Sequence, residues 1–326
     1  DLTFDVTNFG VGSQNGIAFG GTRYLYASAT NDSVTFGENA GASFKSSTIY
    51  NVAIGFEAGR YASSTDTDRS NLIGYQAGYN STGAYNNIIG NSAGYNNTGW
   101  YNNLIGADAG YNNSGDDNNL IGDEAGYHNT GSDNEMIGHG AGRNLQSTSS
   151  VIIGSEAYRG GAGTAAFQAI NNTALGYRAG YSAQTGASNN ILLGYQAADN
   201  ITTGANNIVI GYDVDIASTT RSNQLNIGNL IFGTGIDGTG TSLSSGNIGI
   251  GTTTPGSRFA IEKLTFTGAG VAGITQNIRS TNVTASAVQY GNFGYLYASN
   301  TATTTIAGNM FKIEDNTTFG NTIRGF

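Results

Sequence analysis

Carboxylates are the side chains of this sequence best placed to do chemistry. Asp108 and Glu124 stand sixteen residues apart, and so do Asp117 and Asp133, with Asp116 beside Asp117. If sixteen residues make one turn of a stacked structure, each pair is brought to about 5 Å, one inter-strand spacing. Carboxylates that close repel, so one takes up a proton or the two share a cation. Paired carboxylates at a similar separation also serve glycoside hydrolysis. No cleft-forming pattern surrounds these pairs. Solvated surface charge is therefore the simplest reading, a weak Ca²⁺ site at Asp108 and Glu124 the next, and catalysis the last. No residue is assigned as catalytic and no cofactor is expected. The rest of the inventory is thin. There is no Cys, and His128 and His139 lack any metalloprotease-like spacing. The run Gly160-Gly161-Ala162-Gly163 fits no phosphate-loop template.

Aromatic residues continue the acidic column. Tyr85 and Tyr101 precede Asp117 and Asp133 at the same sixteen-residue step, and Trp100, the only Trp, adjoins Tyr101. An aromatic and acidic strip can stack on sugar rings and accept from their hydroxyls. Packing against a neighbouring subunit competes with that reading. Tyr85, Trp100, Tyr101, Asp116, Asp117 and Asp133 are the candidate ligand-binding residues. Asn80, Asn96 and Asn112 are Asn-x-Ser/Thr sequons in one column, hence candidate glycosylation sites. Glycans on all three would crowd at a spacing of about 5 Å.

The elements that must position these residues follow from a short repeat. Gly74, Gly90, Gly106, Gly122, Gly138 and Gly154 lie sixteen residues apart, and each follows an Ile. A fixed short period means one coil stacked on the next, so the expected fold is all-β, a parallel β-solenoid. Looser copies, from Phe19-Gly20 to Ile250-Gly251, raise the expectation to about 14 coils. Stacking must stabilise the chain, because no disulfide can. The net charge of −9 offers no basic stripe for nucleic acid, and no apolar run is long enough for a membrane-spanning helix. The chain opens at Asp1 without a signal peptide and reads as a mature or excerpted sequence.

Flanking copies such as Val52-Ala53-Ile54-Gly55 alternate apolar-x-apolar, which predicts a strand whose paired apolar residues face the coil interior. The central block instead places Leu104 beside Ile105 and Leu120 beside Ile121. Adjacent strand residues point to opposite faces, so the second face needs a cover. Another copy of the chain is the simplest cover, and the central block is expected to be the part most buried between copies. Longer steps predict protruding loops at 159–168 and 231–245. The only Pro, Pro255, marks the expected boundary. The domains are a connecting segment at 1–14, the repeats at 15–255 and a C-terminal β-rich segment at 256–326. Tyr24–Ser28 recurs as Tyr295–Ser299, and Asn31–Gly37 is echoed by Asp315–Gly320. This match suggests a tandem array or a head-to-tail filament.

The run Tyr50-Asn51-Val52-Ala53-Ile54-Gly55-Phe56-Glu57-Ala58-Gly59 resembles the head repeats of trimeric autotransporter adhesins. The resemblance covers roughly 15–251 and implies a left-handed β-roll with three chains side by side. The run Gly246–Pro255 is similar to an element of phage tail fibres and large secreted bacterial proteins. These resemblances imply a homotrimeric extracellular or cell-surface fibre subunit. Such a subunit would display loops for cell-surface or carbohydrate attachment, without nucleic acid or direct membrane insertion. A phage-like tail fibre binding glycans is the alternative. A polysaccharide-cleaving trimeric solenoid is a third reading.

Overall fold

The computed structural model describes residues 15–19, 22–27, 32–44, 49–62, 69–160 and 166–261. Across them the chain is an all-β parallel β-solenoid, and no helix occurs among the described residues. Strands β1 (Asn15–Phe19) and β2 (Thr22–Ala27) pair antiparallel, and β2 pairs antiparallel with β3 (Val34–Phe36). From β3 the ladder is parallel through β4 (Val52–Ile54), β5 (Asn71–Ile73), β6 (Asn87–Ile89), β7 (Asn103–Ile105), β8 (Asn119–Ile121) and β9 (Glu135–Ile137). Strand β10 (Leu145–Gln146) leaves this ladder. It continues through β11 (Val151–Ile153), while β12 (Phe167–Gln168) pairs in parallel with β10. The ladder then runs through β13 (Thr173–Leu175), β14 (Ile191–Leu193), β15 (Ile208–Ile210) and β16 (Gln224–Ile227). Strand β17 (Ile231–Thr234) pairs antiparallel with β16 and with β18 (Asn247–Ile250), and β19 (Phe259–Ile261) pairs in parallel with β18.

Eleven parallel pairings join β3 to β16, so the solenoid makes about eleven turns rather than the expected 14 or so. The difference lies at the ends. There the Phe19-Gly20 and Ile250-Gly251 copies belong to strands with an antiparallel partner. The step expected as a loop at 231–245 begins with β17 instead. Residues 1–14 and 262–326 lie outside the described residues. So do the C-terminal halves of the internal match and part of the expected loop at 159–168.

Each three-residue strand from β3 to β15 turns its middle side chain into the coil. Leu72, Ile88, Leu104, Leu120, Met136 and Ile152 form a fully buried column. The apolar-x-apolar copies therefore present their paired apolar residues to the outside, the reverse of the expectation. In β4 the buried residue is Ala53, and Ile54 is exposed. The cause is the narrow coil, which accommodates one large side chain per strand. Opposite Leu104, Gly110 has a left-handed backbone, and a Cβ there would come within 2.8 Å of Leu104 Cδ2.

A column of small alanines, Ala77, Ala93, Ala109, Ala125 and Ala141, shares the interior, and its polar part is mostly amide. Asn86, Asn102, Asn118 and Asn134 are buried at the corner before the strand. The Asn102 N–H donates to Asn86 Oδ1 at 2.8 Å, and Asn118 N–H to Asn102 Oδ1 at 2.9 Å. Asn86 Nδ2 donates to the Gly99 carbonyl at 2.9 Å. A second buried column runs through Asn97, Asn113 and Asn129, and Asn113 Nδ2 donates to both Asn97 Oδ1 and the Gly115 carbonyl at 2.8 Å. Buried amides are costly unless bonded, and stacking supplies each with a partner one coil away. At the other end of the strand Gly106 has φ 137°, and a Cβ there would lie 2.4 Å from the Gly122 carbonyl oxygen. Close coil-to-coil approach and backbone conformation both demand glycine.

Candidate ligand-binding corner

The corner before each buried polar residue is held by a non-glycine residue in the left-handed region. Its column runs Tyr50, Arg69, Tyr85, Tyr101, Asp117 and Asp133, with φ between 56° and 61°. It continues through Ser149, Asn171, Asn189, Asn206 and Asn223 in the same conformation. Backbone bonds tie the steps: Tyr101 N–H donates to the Ala84 carbonyl at 3.1 Å, and Asp117 N–H to the Trp100 carbonyl at 2.9 Å.

This column brings the six candidate ligand-binding residues together on one edge. All six are exposed. The Tyr85 and Tyr101 rings stack with centroids 4.8 Å apart and planes 16° from parallel. Trp100 is tilted beside both, 6.4 Å from Tyr101. Asp116 Oδ1 accepts the Trp100 N–H at 2.8 Å, and Asp116 N–H donates to Ser132 Oγ at 3.0 Å. Among the described residues no ion pair joins Asp116, Asp117 or Asp133 to a cation.

Two further members were missed in the sequence. Arg69 lies 5.3 Å from the ring centroids of both Tyr50 and Tyr85, and its Nη1 donates to the Tyr85 hydroxyl at 3.0 Å. Counting sixteen back from Tyr85 reaches Arg69, but the next step, to Tyr50, is nineteen, so the period hides the column. Register on the polar corner would have found both. Tyr50 precedes Asn51 and Arg69 precedes Ser70, as Tyr85 precedes Asn86.

The opposite corner positions the other carboxylates. Asp108 and Glu124 stand there in consecutive coils, both left-handed. Glu124 pairs with Arg143 at 2.6 Å. Burial, then the negative charges of Asp123 and Glu124, push the Asp108 carboxyl above its ordinary range, against the opposing pull of Arg143. Among the described residues no group of three or more His, Asp or Glu is placed to hold a metal. Elsewhere on this corner Glu156 pairs with Arg159 and Arg178, and Glu57 with Arg60.

Asn80, Asn96 and Asn112 form a side-chain ladder. Asn80 Nδ2 donates to Asn96 Oδ1 at 3.0 Å, and Asn96 Nδ2 to Asn112 Oδ1 at 2.8 Å. The nitrogen a glycan would occupy thus already donates to the next coil. Beside this ladder Tyr79, Tyr95, Tyr111 and Tyr127 stack at 4.7–4.9 Å.

The outer side of the strand ladder forms a regular face. Its third-residue column is apolar in every strand of the ladder, from Phe36 and Ile54 through Ile105 to Ile210 and Ile227. The first-residue column divides. In the central block it is an amide ladder, Asn87 to Asn103 at 2.9 Å and Asn103 to Asn119 at 2.8 Å. Towards the ends it is apolar except at Thr173, with Val34, Val151 and Ile191 exposed. Exposed stacks of Phe56 on Tyr75, and of Tyr177, Tyr195 and Tyr212, extend the apolar ends. The face is therefore most apolar at its two ends. No known family matches the chain, and no characterised protein or solved structure matches it either.

Proposed function

We propose that this chain is an extracellular, non-catalytic fibre or filament subunit, assembled from several copies and attaching to cell-surface or polysaccharide ligands. The observation that supports it best is the strand face. An unbroken apolar column along about eleven turns, widened by aromatic stacks at both ends, is more than an isolated soluble chain ordinarily exposes. A second copy covering it keeps the rod in solution. The resemblance of Tyr50–Gly59 to adhesin heads favours three copies. The outward corners then remain free, and identical rods held together convert weak contacts into avidity.

Mass in solution tests the assembly. A trimer is expected, and a stable monomer at micromolar concentration overturns it. Retention on immobilised polysaccharides tests attachment. Release of reducing sugar from those polysaccharides, abolished by Asp117→Asn with Asp133→Asn, would replace the adhesive reading with an enzymatic one.

A further inference from the structure

Tyrosine is a poor residue for the left-handed corner. A bulky side chain there is an outlier, whereas Asn tolerates the conformation. The chain itself shows that the corner does not require an aromatic, because Asn171, Asn189, Asn206 and Asn223 make the same turn. Tyr50, Tyr85 and Tyr101 therefore hold strained positions that the fold fills more cheaply elsewhere. Strain that structure does not demand points to use.

The order along the column says what use. The aromatic stack has two ends. On the Tyr85 side the ring is already covered by a cation, the Arg69 guanidinium, which lies at 5.3 Å from both Tyr85 and Tyr50. On the Tyr101 side the stack stops. Tyr101 is 53% exposed, its ring partners are Tyr85 and Trp100, and among the described residues no cation lies over it. The next coil along the column supplies Asp117, with Asp116 adjoining, and among the described residues neither has a cationic partner. One end of the stack holds a cation, and the other presents an uncovered ring beside unneutralised carboxylates.

We propose that the corner patch formed by Trp100, Tyr101, Asp116 and Asp117 binds a cationic amino sugar of a polysaccharide. This rests on the attachment reading above and names its ligand class. The ammonium group takes the place at Tyr101 that Arg69 takes at Tyr85, attracted by the ring face and by the two carboxylates. The tilted pair of Trp100 and Tyr101 exposes more ring than an ammonium alone covers, and a pyranose C–H face fills that surface. A neutral sugar leaves the carboxylates without a counter-charge. A lysine side chain leaves the ring surface bare.

Trp100 is the only Trp of the chain, so its emission reports this patch alone. The full chain is titrated with a fully deacetylated glucosamine hexamer, its N-acetylated counterpart and hexalysine. The deacetylated sugar is expected to change Trp100 emission saturably. Its affinity should fall about two- to fivefold in Asp117→Asn and in Tyr101→Asn, as loss of an exposed cation contact implies. Both variants keep a residue suited to the corner, and unchanged thermal melting confirms that they fold. Equal affinity for the N-acetylated hexamer overturns the proposal, since the carboxylates then play no part. Equal affinity for hexalysine overturns it in favour of a polypeptide ligand. An unmoved Trp100 emission overturns it as well. If the chain still binds polysaccharide surfaces in that last case, attachment stands and only this site falls.

Discussion

At the scale of single residues, Gly106 after β7 and Asp108 two residues later limit stability in different ways. Gly106→Ala places a methyl 2.4 Å from the next coil's carbonyl oxygen, in a backbone region closed to alanine. A loss above about 3 kcal/mol is expected from combined overlap and strain, read as a large fall in the urea midpoint. Asp108 is different because its cost is electrostatic. Its folded pKa is raised, so the unfolded chain loses that proton first as pH rises. Stability therefore declines from the ordinary carboxylate range up through the raised pKa. Asp108→Asn removes the burial and repulsion penalty. It should melt higher than the parent near neutral pH, with the gain vanishing at a pH where both states are protonated. Thermal melts across that range test the sign.

At the scale of one coil, stability divides between an apolar column and an amide column. Leu104 is fully buried between Ile88 and Leu120 in successive strands. Leu104→Ala is expected to cost about 2–5 kcal/mol through lost burial and the cavity left behind. Asn102→Ala should cost about 1–3 kcal/mol for a different reason, since the buried Asn118 N–H loses its acceptor, Asn102 Oδ1. Urea unfolding of the two variants and of their double variant separates the columns. Near-additive losses mean the columns act independently within a coil. The strands themselves were readable from the Ile-Gly spacing, because a glycine forced by close approach recurs wherever a coil does. Which side of each strand faced inward was not. Alternation marks two faces without naming the inner one, and here the coil is too narrow for the apolar pair of Val52 and Ile54.

At the scale of the whole molecule, the solenoid is a sum of like coils with nearest-neighbour contacts. Removing residues 103–118 joins Asn102 to Asn119 in the register of the parent. The shortened chain should fold with the same circular dichroism shape and show only a modest fall in stability; failure to fold would mean the coils are not interchangeable. Assembly belongs to the same scale. Replacing Phe56 and Tyr212 with Ser removes an exposed ring at each end of the strand face without touching the core. We expect the parent fold with a reduced assembled mass in sedimentation. An unchanged mass would place the contact elsewhere.

The sequence by itself determined the repeat, the stacking of Asp117 on Tyr101 and of Tyr101 on Tyr85, and the pairing of Asp108 with Glu124. Each of these follows from period alone. It also left the corner open to two readings, sugar ring or subunit. Only the tertiary structure decided the rest. It placed Tyr50 in the corner column across an irregular step of nineteen, because register depends on the buried Asn51 and Ser70 rather than on residue count. It gave Glu124 the Arg143 partner from nineteen residues away. It ended the ladder in antiparallel strands at both ends and turned the flanking apolar pairs outward. Coil width and the bonding of buried amides settle those outcomes, and neither quantity is written in a period.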